Sequence, residues 1–172
     1  YLVLKDGRVF KGKPLGAIGQ ADGEIVFNTA MAGYQEILTD PSYDGQIVTM
    51  SYPLIGNVGV NREDVEACKP FVRGFIIKED SHIPSNWRNE QSLNDYLNEN
   101  NIVGIQGIDT RALTRHIRLH GSMPGVIASN SADIDKLKML ASGLSGLDGV
   151  DCVRNVSCQE PYNWEGGLWD LQ

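Results

Sequence analysis

The stretch Tyr1-Leu-Val-Leu-Lys-Asp-Gly-Arg-Val-Phe10 decides the fold class. An Asp-Gly pair between two apolar runs is the strongest short-range signal for a β-hairpin, so the chain opens on one. Working outward, further strands are expected at Glu24–Phe27 after Asp22-Gly23, and at Gln46–Met50, Val72–Ile77, Ile102–Ile105 and Gly125–Ala128. Each is short, apolar and punctuated by glycine. Helices gather later. Ser92 caps a short one that puts Leu93 and Leu97 on one face and ends at Asn100-Asn101. Thr110–His120 is clearer: Asp109 or Thr110 caps it, Leu113 and Ile117 pair at i,i+4, and Gly121 stops it in the left-handed conformation. A third runs from Ala132 to Ala141, burying Ile134, Leu137 and Leu140, before Ser142–Gly149 breaks the period. This order predicts an α/β fold of α+β-like layers, with a strand-rich first half and helices on one side of the sheet structure.

Beyond Val150 the pattern changes. Cys152–Ser157 reads as a short extended piece, and the residues after Gln159 keep no period, so the end of the chain reads as a linker. Trp164 and Trp169 are costly to leave in water and are expected to pack against something in the intact protein. The first residue is Tyr rather than Met, and the chain is expected to be a piece of something longer.

The 172 residues suit one domain, and 41% hydrophobic residues suffice for a core. Fifteen basic against 22 acidic residues leave a net charge of -7, which repels phosphate backbones and disfavours nucleic acid. No apolar run approaches the roughly 20 residues a bilayer requires, so neither a membrane span nor a signal peptide is expected. Cys68, Cys152 and Cys158 are odd in number and lack paired spacing, which argues against a disulfide framework or a zinc site and for a reducing cytoplasm.

Little in the chain advertises chemistry of its own. None of the cysteines sits in a glycine-flanked elbow, and they read as structural or incidental small residues. His116 and His120 share a helical face at i,i+4, but no Glu lies between them and no third ligand is evident. His82 lies in a polar loop and reads as solvated. No phosphate-binding glycine loop is present, so ATP binding by this chain is unsupported.

Two features stand out. Asn28-Thr-Ala-Met-Ala-Gly-Tyr-Gln-Glu36 runs into Ile37-Leu-Thr-Asp-Pro-Ser-Tyr43, where Asp40-Pro41 sets a turn. Thr39, Asp40, Ser42 and Tyr43 there supply hydroxyls and a carboxylate, which serve either a structural turn or a ligand's polar atoms. Arg111, Arg115 and Arg118 fall at i, i+4, i+7 on one helical ridge, a local reversal of sign. That stripe suits an acidic partner surface or, more blandly, a solvated helix face.

Three segments, Asn28–Tyr43, Gln46–Gly59 and Gly107–Arg115, resemble the N-terminal domain of the small, glutamine-hydrolysing subunit of carbamoyl-phosphate synthase. Leu4-Lys-Asp-Gly7 and Gly146-Leu-Asp-Gly149 extend the resemblance over nearly the whole chain. It implies a three-layer β/β/α sandwich over residues 1–150. Residues 151–172 would then be a linker toward a class I glutamine amidotransferase domain that bears the catalytic Cys, His and Glu. This chain is therefore expected to hold no catalytic residue, metal or cofactor. The resemblance further implies a ligase holoenzyme that hydrolyses glutamine and passes ammonia through a tunnel to a large subunit. The large subunit, with ATP and Mg, consumes bicarbonate to make carbamoyl phosphate for arginine and pyrimidine biosynthesis. Ser42 matches the family's glutamine-contacting serine, and Thr29–Ala32 lie near the tunnel by a weaker analogy. Implied partners are the large subunit, for which Arg111, Arg115 and Arg118 are the candidate contacts, the chain's own C-terminal glutaminase domain, and glutamine. The rival expectation is a free-standing interaction or small-ligand-binding module of the same ancestry.

Overall fold

The computed structural model describes residues 1–131 and 133–166. Its elements run β1 (Leu2–Leu4), β2 (Val9–Phe10), β3 (Lys13–Gly16), β4 (Gln20–Asn28), α1 (Tyr34–Thr39), a 3-10 turn (Pro41–Tyr43), β5 (Gln46–Met50), β6 (Leu54–Ile55), β7 (Gly74–Ile76) and β8 (Glu79–Asp80). There follow α2 (Leu93–Glu99), β9 (Val103–Gln106), α3 (Thr110–His120), β10 (Met123–Ala128), α4 (Ile134–Gly143) and α5 (Val153–Val156). Eight strands form one mixed sheet in the order β2-β1-β10-β4-β5-β7-β9-β3, and β6 pairs with β8 apart from it. The central strands β4, β5, β7 and β9 are parallel; β2, β1, β10 and β3 are added antiparallel.

The period of two along these strands builds two cores. Val48, Met50, Phe75 and Ile77 point to one face, where Tyr34, Ile37 and Leu38 of α1 and Leu93 and Leu97 of α2 cover them. Their alternates, Ile47 and Ile76, point the other way and meet Leu2, Leu4, Ile25, Ile105 and Ile127. The sheet curls until β10 touches β9, although β4, β5 and β7 lie between them in strand order. Gly74 permits the curl. A Cβ there would sit 3.0 Å from Val103 O and 3.2 Å from Ile127 Cδ1, so a side chain would prise the two β layers apart. Leu113 and Ile117 of α3 pack into the concave side, while Leu137 and Ala141 of α4 cover Val3, Val126 and Ala128. The layered α/β architecture expected from the sequence is the one observed. Among the described residues no helix is long and apolar enough to cross a membrane.

Local expectations hold to different degrees. The opening hairpin forms, with Leu2 opposite Phe10, but its loop is the four residues Lys5–Arg8, closed by Leu4 N–H donating to Arg8 O at 2.9 Å. Asp22-Gly23 lies inside β4 rather than before it, because pairing with β10 extends that strand to nine residues. Ser92 Oγ accepts from Asp95 N at 3.1 Å and caps α2, and Asp109 Oδ1, not Thr110, caps α3 by accepting from Ala112 N at 2.9 Å. Gly121 ends α3 with positive φ but extended ψ (85, 166), so it is not the left-handed stop expected. In α4 Leu137 is buried as expected, but Ile134 is only half-buried and Leu140 is 40% exposed; Ala141, one position on, takes the second place against the sheet. Its expected start at Ala132 lies outside the described residues. Cys152–Ser157 is not extended: Asp151 Oδ1 accepts from Arg154 N at 3.2 Å and winds the short helix α5. Trp164 is exposed, and Trp169 lies outside the described residues.

Candidate functional site

The parallel strands β5, β7 and β9 end at the same side of the sheet, the place where open α/β sheets hold their crevices. Here that crevice is a groove of about 1340 Å³, lined by Ser51 beyond β5, Lys78 beyond β7, and Gln106 and Gly107 at the end of β9. The stripe Arg111, Arg115 and Arg118 forms one wall, and Lys13 from β3 and His82 from the loop after β8 join it. All three arginines are exposed. Arg118 sits in the last turn, where a cation complements the helix dipole, but Arg111 sits in the first turn, where it opposes it. Helix stability therefore does not account for the stripe as a whole. Lys13, Lys78 and His82 were not legible as site residues, because only the convergence of strand ends brings them to the arginines.

The groove also contains the carboxylates of Glu79, Asp80 and Asp109. Asp80 is buried, its Oδ1 has no hydrogen-bond partner among the described residues, and burial raises its pKa above the ordinary carboxylate value; His82 nearby partly offsets this and Asp95 adds to it. An unpaired buried carboxylate costs stability, so its place in the wall is not explained by folding.

His116, the first of the paired histidines, is engaged elsewhere. Arg8 Nη1 lies 3.0 Å from its Nδ1, and because a guanidinium only donates, Nδ1 accepts and Nε2–H donates to Asp6 Oδ2 at 2.6 Å. His116 thus ties α3 to the opening hairpin loop, and its ring lies 4.5 Å from that of exposed His120. Of the cysteines, Cys68 and Cys158 are exposed and Cys152 is half-buried, so none is a core residue; each belongs to a loop or the start of α5 rather than to a strand.

The Ser42 turn is a separate region. Pro41 excludes the helical conformation at Asp40, which adopts φ -70 and ψ 119 and ends α1. Asp40 Oδ1 then accepts from Ser42 N at 2.8 Å, and Asp44 N–H donates to Pro41 O at 3.1 Å, so the turn is held within its own residues. Its neighbours are spoken for: Thr39 Oγ1 donates to Gln35 O at 3.0 Å and accepts from Glu66 N at 2.9 Å, while Tyr43 OH accepts from Asn28 Nδ2 at 3.0 Å. Ser42 Oγ alone among these hydroxyls is exposed and unbonded among the described residues. Sequence reasoning missed α1 before it, since six residues are too few to show a period. Tyr34 anchors that helix through its OH, which donates to Gly59 O at 2.7 Å, and burial drives its pKa above the ordinary phenol value. Ser42 does not line the arginine groove; the turn leads into the start of β5, whereas the groove lies where β5 ends.

Comparison with known proteins places this geometry. Residues 2–127 match the family model described as carbamoyl-phosphate synthase small chain, CPSase domain. The carbamoyl phosphate synthase small chain of Syntrophotalea carbinolica is 58% identical over 170 residues, covering 99% of this chain and 45% of that one. That of Nitratidesulfovibrio vulgaris (strain Hildenborough) is 52% identical over 165 residues, covering 96% and 44%, and that of Stutzerimonas stutzeri is 50% identical over 172, covering 99% and 45%. The chain thus spans under half the length of the curated relatives it matches. With a family match across most of its residues, the chain belongs to the carbamoyl-phosphate synthase small-chain family, as the CPSase domain of that chain.

Proposed function

We propose that this chain is the non-catalytic N-terminal domain of a glutamine-dependent carbamoyl-phosphate synthase small subunit. The family match over residues 2–127 carries the reading. In it, residues 1–150 dock the large subunit through Arg111, Arg115 and Arg118, and residues 151–172 lead to a C-terminal glutaminase domain of the amidotransferase class. That domain hydrolyses glutamine, and ammonia passes to the cytoplasmic large subunit, which with ATP and Mg converts bicarbonate to carbamoyl phosphate for arginine and pyrimidine biosynthesis.

Two observations support the roles assigned within the domain. Three exposed arginines on one helix face, with Lys78 beside them, make a locally basic wall on a chain of net charge -7 although Glu79, Asp80 and Asp109 share the groove, and that wall is complementary to an acidic protein surface. A free hydroxyl on a turn braced by Asp40 and Pro41 is ordered before any ligand arrives, so using it to bind glutamine loses little entropy.

The docking role is tested by titrating the large subunit with the wild-type chain and with Arg111→Glu/Arg115→Glu/Arg118→Glu. Reversal should weaken association at least about tenfold, or 1.4 kcal/mol. Unchanged affinity returns the stripe to a solvated helix face and favours a free-standing module. Glutamine hydrolysis is expected to be absent from the chain alone, and turnover by it would overturn the non-catalytic assignment.

A further inference from the structure

Beyond α4 the chain does not leave the domain; it returns to the residues that follow Ser42. Leu147 N–H donates to Glu24 Oε2 at 3.2 Å, and Glu24 Oε1 accepts from Ser122 Oγ, which fixes that carboxylate beside the start of β5. The Leu147 side chain lies directly over Gly45. A Cβ at Gly45 would stand 2.7 Å from Leu147 Cδ2, and Gly45 has φ +80, so both the backbone conformation and the fit of the leucine require glycine. Eight residues later Asn155 Nδ2 donates to Asp44 Oδ2 at 3.0 Å. Asp44 N–H is itself bonded to Pro41 O within the Ser42 turn. Arg154, Asn155 and Gln159 line a second groove together with Asp44 and Arg73.

Two contacts far apart in the returning segment therefore close on adjacent residues, Asp44 and Gly45, two and three positions after Ser42. A loose tether would need neither. We propose that residues 144–159 form a strap fastened to the Ser42 turn, and that Leu147 and Asn155 are positioning residues. They set the turn, and whatever domain the chain leads into, in the register that a glutamine site needs. This rests on the assignment of Ser42 to glutamine given above and adds residues that neither motif nor composition singles out. Asn155 reaches no substrate in this arrangement; it acts through Asp44 and the backbone of the turn.

The test uses the full-length small chain in complex with the large subunit and follows glutamine KM and kcat separately. Asn155→Ala and Leu147→Ala should each raise KM about fivefold, the scale of one hydrogen bond or small contact, with kcat changed less than about twofold. Asn155 is exposed, so its variants leave folding intact even where Leu147→Ala does not. Asn155→Asp should raise KM further by setting two carboxylates together, and Asp44→Asn combined with Asn155→Asp should restore it by exchanging donor and acceptor. A strap acting through Ser42 is non-additive with it, so in a Ser42→Ala background the same changes should move KM less than about twofold. Strap variants with normal KM, while Ser42→Ala raises it, overturn the strap and leave the Ser42 assignment standing. Strap variants that raise KM equally with and without Ser42 overturn it too. A normal KM in Ser42→Ala overturns the Ser42 assignment itself, and the strap with it.

Discussion

The Ser42 turn and the arginine groove are both polar surfaces of one domain, yet they are built in opposite ways. Inside the turn, the backbone conformation is set by bonds between residues 40 and 44, with a proline limiting the backbone and an aspartate capping it, and Asn28 and Asn155 only brace it from outside. The groove has no such local logic: Lys13, Ser51, Lys78, Gln106 and the α3 arginines meet only because parallel strands end together. A site made by chain stiffness should survive much that a site made by topology does not.

Phe75→Ala should separate the two regions most strongly. Phe75 is fully buried on β7, between strands that carry the groove, and its loss should cost about 3–5 kcal/mol, read from the urea midpoint. Amide exchange should then accelerate at β7 more than at Ser42 N, whose partner is two residues away. Equal acceleration would mean that the turn depends on the sheet as much as the groove does.

Asp80→Asn probes the groove from the opposite direction. Its folded pKa is raised by burial, so the carboxylate subtracts stability once pH rises above the unfolded value near 4 and through the folded one. The variant should be more stable than wild type at pH 7 by about 1–2 kcal/mol, with the gain vanishing at low pH, as thermal unfolding at both pH values will check. A loss at pH 7 would mean that Asp80 is paired there after all.

Asp40→Ala should cost about 1 kcal/mol through the lost cap, without changing the large-subunit affinity proposed for the arginine groove. If that affinity falls, the two regions are coupled. The smallest effect belongs to Asp6→Asn. Burial alone would raise the Asp6 pKa, but the Arg8 backbone N–H and His116 together lower it below the ordinary value. Its carboxylate therefore adds stability above about pH 4 that is lost as pH falls through the folded pKa, and the variant should flatten the acid limb of a stability profile.

The sequence by itself determined what short-range physics controls. Asp-Gly between apolar runs produced the hairpin, Leu113 and Ile117 set the inner face of α3, Asp40-Pro41 made the turn, and three arginines at helical spacing made a stripe. Family membership was legible for the same reason, since motifs are local strings. Tertiary structure alone decided what depends on distant partners. Pairing with β10 absorbed Asp22-Gly23 into β4, and Pro14 left β3 an edge strand too irregular to read. Packing against β1 and β10 buried Ala141 in place of Leu140, and the curl across Gly74 joined two β layers. Lys78 became part of the arginine wall, and Leu147 came to rest on Gly45, by the same rule. Which surfaces meet is set by strand order and close approach across tens of residues, and no pattern within a single element encodes that.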